Sequence, residues 1–342
     1  VSWTTITYQL IFLVVNCYAL VGQKECESPH EALAANGFQL IAADIVGHLN
    51  CYGWMVMTSP TAPRQAMHRQ IAQALRNDIE AGILRDGERL PSTRELASQW
   101  NVSVFTITQA MDLLTAEGLV HSKDRSARVI TAPYTAAAPK GLQLPTPQFV
   151  LVGGYAGSGK TEFGRVLARQ TGWTILDKDT ITRPLVQRWL EDLGASLDDR
   201  ESPTYMNKIR PYEYEALNAA IEENIECGNS IISTAPYLHE LTDLAWIDRT
   251  QARANDLNAD LSIVWVTCGA DTMNLYLRRR AAARDRWKLA NWPTYLASVD
   301  TTFVPPVPHT LIQNDPDSQP LQVQARNFVK SIRAQAGQQQ GT

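Results

Sequence analysis

The residues Gly154-Tyr-Ala-Gly157-Ser158-Gly159-Lys160-Thr161 have the spacing GxxxxGK[ST]. Glycines at those positions let successive backbone N–H groups converge on phosphate oxygens, assisted by the N-terminus of a following helix. Lys160 would reach the β- and γ-phosphates of ATP, and the Thr161 hydroxyl would ligate Mg²⁺. The setting agrees with this. Gln148-Phe-Val-Leu-Val-Gly-Gly154 reads as a buried strand, and Phe163, Val166 and Leu167 recur at helical spacing behind the loop. Outside such a strand–loop–helix setting the same residues would be only a glycine turn.

Further along, Asp177 and Asp179 stand at the end of a second apolar stretch, Trp173-Thr-Ile-Leu176. A carboxylate there would hold Mg²⁺ through water or take a proton from a substrate hydroxyl; the other reading of Asp179 is a helix N-cap. The segment Asp271–Arg286 carries Arg278, Arg279, Arg280, Arg284 and Arg286. Arg280 and Arg284 are one turn apart and could act together on a triphosphate and its transition-state charge. The alternative is a solvated helix with ion pairs from Arg284 or Arg286 to Asp285.

A different chemistry is written before residue 131. Ser103 opens a helix whose first residues, Ser103, Val104, Phe105, Thr106 and Gln109, are placed as base-reading positions of a helix in the major groove. Arg94, Lys123, Arg125 and Arg128 are spaced to meet phosphates or a groove edge. The elements needed to position them are present. Ile71, Ala74, Leu75, Ile79 and Ile83 make one apolar helical face. Ser92-Thr-Arg-Glu95 is a capping box for a second helix carrying Leu96, Ala97 and Trp100. A turn at Asn101-Val102 leads to the third helix, with Ile107, Ala110, Met111 and Leu114 inward and Gly118 at its end. Leu119–His121 and Ala127–Ile130 then read as two short strands around a polar tip.

The chain of 342 residues has room for two domains and a remainder. With 44% hydrophobic and 19% charged residues it is globular, and a net charge of −4 excludes a general polycation, so nucleic acid would be met by a local surface. Five cysteines without a CxxC pair exclude a disulfide scaffold and a zinc ribbon. The run Leu10–Val15 is too short for a membrane span, and no Lys or Arg precedes Lys24 to make a signal peptide, so no membrane partner is expected. The expected fold is multidomain: a winged helix-turn-helix (α+β), then an α/β P-loop doubly wound parallel sheet with further strands at 173–176, 230–233, 261–266 and 310–312. The expected boundaries are an N-terminal extension at 1–56 (with translation beginning at Met57 or Met55), a winged helix at 57–130, a Pro-rich linker at 131–147, a P-loop domain at 148–333 and a disordered tail at 334–342.

The winged helix at 66–130 resembles, over about 65 residues, the GntR-type family of bacterial transcription regulators. Ile79-Glu-Ala-Gly82, Leu90-Pro-Ser-Thr-Arg-Glu-Leu-Ala97, Asn101-Val-Ser103, Thr106-Ile107, Ala110 and Leu114 with Glu117-Gly-Leu-Val120 carry the resemblance. It implies sequence-specific binding to a double-stranded DNA operator, as a homodimer on a palindromic site, in the cytoplasm. Two departures stand out. Val104 occupies the place where the family often has a base-reading Arg, leaving Val104 and Phe105 to apolar contacts such as a thymine methyl. Ser126-Ala127 replaces the common Gly pair of the wing. The alternative use of such a domain is protein interaction alone.

The later half resembles AAA-type P-loop proteins of the kinase-like group that includes zeta toxins and small-molecule phosphotransferases. The P-loop, Asp177-Lys-Asp179, Val264-Trp-Val266 with the following arginines, and Ile312-Gln-Asn314 carry it. The resemblance implies ATP and Mg²⁺ as cofactors and places Asn314 at the adenine edge. It departs at Ser233-Thr234-Ala-Pro236, which lacks the acid that often follows this strand. Two functions are expected from the combination: a transcription regulator whose ATP–Mg²⁺-binding P-loop domain acts as an effector or slow ATPase module, or a small-molecule kinase whose winged helix regulates its own gene. A nucleotide-binding interaction protein with neither activity is the third.

Overall fold

A run of apolar residues three and four apart is the first thing the chain converts into structure. In the computed structural model, which describes residues 67–123, 127–131, 141–280 and 282–339, helix α1 (Met67–Glu80) buries Ile71, Ala74, Leu75 and Ile79. Helix α2 (Thr93–Trp100) begins at the capping box: the Glu95 N–H donates to Ser92 Oγ (3.2 Å) and the Ser92 N–H donates to Glu95 Oε2 (2.7 Å). Asn101 adopts φ +51° to turn the chain, and Ser103 caps α3 (Val104–Ala116) by accepting from the Thr106 N–H at 3.1 Å. The inner face of α3 (Ile107, Ala110, Met111, Leu114) closes a core with α1 and α2. After Gly118, strands β1 (Val120–Lys123) and β2 (Ala127–Ile130) pair antiparallel, with Val120 opposite Ile130 and Lys123 opposite Ala127. Three helices and a two-stranded wing are a winged helix. The N-terminal segment 1–56, the two expected start positions Met55 and Met57, and the tip residue Arg125 lie outside the described residues.

The second part is built on a five-stranded parallel sheet in the order β4-β5-β3-β6-β7. Its elements run β3 (Gln148–Gly153), α4 (Lys160–Thr171), β4 (Thr174–Asp177), α5 (Lys178–Asp192), α6 (Pro203–Lys208), α7 (Arg210–Glu226), β5 (Ile231–Thr234), α8 (Leu244–Asp256), β6 (Asp260–Thr267), α9 (Ala270–Arg280), α10 (Arg286–Ala290), α11 (Trp292–Ala297), β7 (Thr310–Gln313) and α12 (Leu321–Gln339). Strand β3 is central and wholly buried, and its side chains alternate between two cores. Val150 and Val152 pack with Phe163, Leu167 and Phe328 of α4 and α12. Phe149 and Leu151 pack with Leu217, Ile221 and Ile247 of α7 and α8. This is the doubly wound α/β sheet expected, and it brings the ends of β3, β4 and β5 together with the phosphate loop.

Three expectations need correction. The stretch from Ala334, read as a disordered tail, is helical through Gln339, because Ile332 and Ala336 continue the apolar face of α12 and are both buried. The described end of the linker, 141–147, is not free: Leu142 and Leu144 pack against the α/β core, and the Trp173 indole N–H donates to the Leu142 carbonyl at 2.9 Å. The winged helix is docked rather than merely tethered. The Arg165 Nε–H of α4 donates to the Ala81 carbonyl at 2.9 Å, the Gln322 amide of α12 donates to Asn77 Oδ1 at 3.3 Å, and Ala81 itself is buried in the α/β core.

Close approach sets a measurable limit at Gly164 in α4. A Cβ there would stand 2.5 Å from Thr234 Cγ2 and 3.2 Å from Ile175 Cδ1. Alanine gains about 1 kcal/mol in helix propensity over glycine, whereas overpacking a fixed contact costs about 1–3 kcal/mol. Thr234 is held by a hydrogen bond and cannot yield. Gly164→Ala is therefore expected to lower the denaturant midpoint, with a net loss of up to about 2 kcal/mol; an unchanged or higher midpoint contradicts the close packing of α4 on β5.

Candidate functional site

The loop between β3 and α4 is shaped by glycines that no other residue could replace without collision. Gly159 has φ +93°, and a Cβ on it would run into the Asn314 amide. A Cβ on Gly154 would strike the Val266 carbonyl and Ser158 Oγ; one on Gly157 would come within 2.9 Å of the Met273 carbonyl of α9. A small cavity of about 30 Å³ lies over the loop, lined by Gly157, Gly159, Lys160, Thr161, Tyr276 and Arg280. Ser158 Oγ is buried and makes no hydrogen bond among the described residues, an orphan that a phosphate oxygen would satisfy. The residues present therefore fit a triphosphate.

Asp177, at the end of β4, is the centre of the polar contacts. Its Oδ2 accepts from the Thr161 hydroxyl (3.0 Å) and from the Thr234 hydroxyl at the end of β5 (2.7 Å). Its Oδ1 accepts from the Thr180 N–H (2.8 Å) and caps α5. The N-cap is thus Asp177 and not Asp179. It also places a carboxylate beside Thr161 from the neighbouring strand, where Ser233-Thr234 offers none. These groups, Thr161 with Asp177, are the ones that would hold Mg²⁺.

Asp179 faces the other side. Its carboxylate is 3.1 Å from Lys178 Nζ and 3.2 Å from Arg284 Nη2. Burial would raise its pKa, but the two cations outweigh burial and hold the carboxyl well below the usual carboxylate range. Lys178 is itself fixed: its Nζ donates to buried Glu213 at 2.8 Å, and Glu213 also accepts from Thr182 (2.7 Å) and the Tyr205 hydroxyl (2.5 Å). Sequence reasoning missed Glu213. Nothing local marks it, because its partners come from α5 and α6.

The arginine-rich segment divides by position. Arg280 makes a two-point pair with buried Asp285, both bonds at 2.8 Å, and lines the loop cavity. Arg284 reaches Asp179, so both arginines expected at the site are there, and the partner of Asp285 is Arg280 rather than Arg284 or Arg286. Arg278 turns to Asn274 on the same helix. Arg279 leaves the site altogether: it pairs with Asp78 of α1 and lies over the Trp100 ring of α2, 5.0 Å from its centroid. Asn314, expected at the adenine edge, is instead buried behind the loop, its amide donating to the Ser158 carbonyl at 3.0 Å.

On the winged helix, Val104 and Phe105 are exposed (47% and 69%), as is Arg94. Ser103 Oγ is engaged by the Thr106 N–H and lies 2.9 Å from the Thr106 hydroxyl; Gln109 is half-buried one turn on. Arg128 donates to Thr93 Oγ1 at 3.2 Å, joining the wing to α2, and Lys123 ends β1. Among the described residues no cluster of His, Cys, Asp and Glu could hold a metal by itself, and no helix is long and apolar enough to cross a membrane.

Fold and site together define a winged helix joined to a P-loop domain on a parallel α/β sheet. Residues 67–130 match the family of bacterial regulatory proteins of the gntR type, and residues 149–302 match an AAA domain family. The chain thus joins a segment matching the gntR-type regulatory family to a segment matching an AAA domain. It is 40% identical over 75 residues to a probable rhizopine catabolism regulatory protein, MocR, of Rhizobium meliloti, covering 22% of this chain and 15% of that protein. It is 32% identical over 128 residues to the vitamin B6 salvage pathway transcriptional repressor PtsJ of Salmonella typhimurium, covering 36% of this chain and 30% of that protein. This chain therefore spans less than a third of either regulator. A gluconokinase structure from Sinorhizobium meliloti aligns with TM-score 0.36 at 16% identity, over 55% of this chain and 97% of that one.

Burial, with the Arg280 charge nearby, pushes the Lys160 ammonium down to about 8. A polyphosphate binds the protonated form and pulls its pKa back up, so binding takes up a proton when the free group is partly deprotonated. ATP affinity is expected to fall as pH rises from 7 to 9.5. Calorimetry in buffers of different ionisation heat should show proton uptake near pH 8–9 that Lys160→Met removes; affinity independent of pH would show that Lys160 does not meet the phosphates.

Proposed function

We propose that the chain is a DNA-binding transcription regulator whose P-loop domain takes ATP and Mg²⁺ as an effector. The exposed first turn of α3 would enter the major groove of a double-stranded operator, with Val104 and Phe105 making apolar base contacts and Arg94, Lys123, Arg125 and Arg128 meeting the backbone. Each chain would be one half of a DNA-bound homodimer in the bacterial cytoplasm. Gly154, Gly157, Ser158, Gly159 and Lys160 would cradle the phosphates, and Thr161 with Asp177 would hold the metal. Bound ATP–Mg²⁺ supplies a concentrated negative charge at the loop.

The observation that carries this reading is the double use of α9. Arg279 and Arg280 are adjacent, and a helix turns about 100° per residue, so the two point to different neighbours. Arg280 and Tyr276 line the cavity over the phosphate loop, while Arg279, Leu275 and Tyr276 press on the winged helix. A phosphate that engages Arg280 competes with Asp285 for it and must shift the balance of α9 on both sides.

The cavity wall at Asp179 favours a second reading, phosphoryl transfer to a small-molecule hydroxyl. There Asp179 would orient the hydroxyl and receive its proton, and Arg280 and Arg284 would stabilise developing charge. In that case Asp179→Asn abolishes transfer in a coupled ADP-release assay and leaves ATP affinity intact.

For the effector reading, fluorescence anisotropy on a duplex selected from a random pool is expected to show two effects. DNA affinity falls with salt and with Arg94→Ala. Adding ATP–Mg²⁺ changes it by roughly fivefold or more. The double variant Asp78→Ala/Arg279→Ala, which leaves no unpaired charge behind, should keep both affinities and lose the coupling. Equal DNA affinity with and without ATP–Mg²⁺ in the parent protein would sink the effector idea.

A further inference from the structure

The phosphate loop opens into a much larger cavity, about 580 Å³, which runs from Lys160 and Asp179 past Tyr205, Tyr295 and Phe303 to Arg200. Cations outnumber acids along its wall, but most of them are already spent. Lys178 is held by Glu213 and Asp179, Arg210 by Glu240, Arg280 by Asp285, Arg284 by Asp179 and Lys288 by Glu201. Lys160 belongs to the loop. Arg200 is the exception: among the described residues its guanidinium forms no ion pair. One of its amino groups, Nη1, donates to the Leu197 and Asp199 carbonyls, and its plane is held over the Tyr205 ring at 5.2 Å. The Nε–H and Nη2 donors make no hydrogen bond among the described residues. That edge is the two-donor fork that matches two oxygens of a carboxylate or phosphate.

Three features therefore coincide at Arg200: a guanidinium fixed in orientation from one side, its recognition edge unused, and an adjoining cavity large enough for a metabolite beside the loop. Asp179, Arg280 and Arg284 line a second hollow with Arg200, of about 350 Å³, so the arginine shares a wall with Asp179. The geometry points to an oxyanion subsite at Arg200, so that the cavity takes a small anionic molecule, a carboxylate or phosphate compound, extending from Arg200 toward Asp179 and Lys160. The aromatic walls would cover its apolar part. This ligand is additional to the nucleotide, and its assignment rests on the proposed reading only in treating the loop as the separate site of ATP.

Inorganic phosphate and acetate are suitable probes, titrated calorimetrically into the full chain with the loop saturated by Mg²⁺ and a non-hydrolysable ATP analogue. One saturable anion site per chain is expected, weakened about tenfold or more by Arg200→Gln through loss of a charge-assisted pair. Arg188→Gln, which alters an exposed guanidinium on α5, should leave it unchanged. Should Arg200→Gln lose secondary structure, Arg200→Lys is read in its place: it keeps the charge, loses the fork and should weaken both anions several-fold. Failure of both anions to bind the analogue-loaded chain, or equal binding by the Arg200 variants, overturns the subsite. If the analogue itself does not bind, the effector reading falls. The subsite is then decided on Lys160→Ala, where loss of anion binding on adding Arg200→Gln supports it and unchanged binding overturns it.

Discussion

Helix α9 must satisfy two neighbours with one set of side chains, and the organisation of the described chain depends on that constraint. The Met273 carbonyl limits how far the phosphate loop can rise, because Gly157 passes so close that a methyl group would collide. Within the next two turns, Leu275, Tyr276 and Arg279 complete the surface on which the winged helix rests. An ion pair between partly buried groups is a weak source of net stability but a strong source of specificity, since a lone Asp78 or Arg279 in that seam would be costly. The pair thus fixes where the winged helix sits more than how firmly it is folded.

Asp177 plays a comparable part at the sheet edge. One carboxylate accepts from the start of α4, the end of β5 and the first turn of α5, so loop, sheet and helix are set by a single side chain. That arrangement explains how the domain manages without an acid after β5: Thr234 donates to the carboxylate supplied next door. Behind the loop, Asn314 does for Ser158 and Gly159 what a rigid backing plate would do. Across the cavity, buried Glu213 performs the same service for Lys178, and through it for Asp179.

Much of this was legible in the residues themselves. Local rules were enough for the capping box at Ser92, the αL turn at Asn101, the glycine loop and the parallel strands, because each is decided by neighbours within a few positions. The division of labour among Arg278, Arg279, Arg280 and Arg284 was not, since it depends on which helix face meets which neighbour. Asn314 was misplaced for a related reason: its partner lies far away in sequence, at Ser158. The continuation of α12 through Gln339 was hidden by composition, the glutamine-rich surface masking a narrow apolar stripe at Ile332 and Ala336.

The seam at Ala81 and Arg165 bears on how such a chain is assembled over evolutionary time. Just past α1, the Ala81 and Gly82 carbonyls accept from Arg165 of the other domain, and Ala81 is a member of that domain's core. A winged helix exchanged wholesale for a relative would therefore bring its own recognition surface but leave an unfilled socket at Ala81 and the Arg165 contacts to be remade. Specificity can be changed at the outer turn of α3, where Val104 and Phe105 are exposed among the described residues. The two parts are separable in sequence, whereas the joint between them draws residues from both.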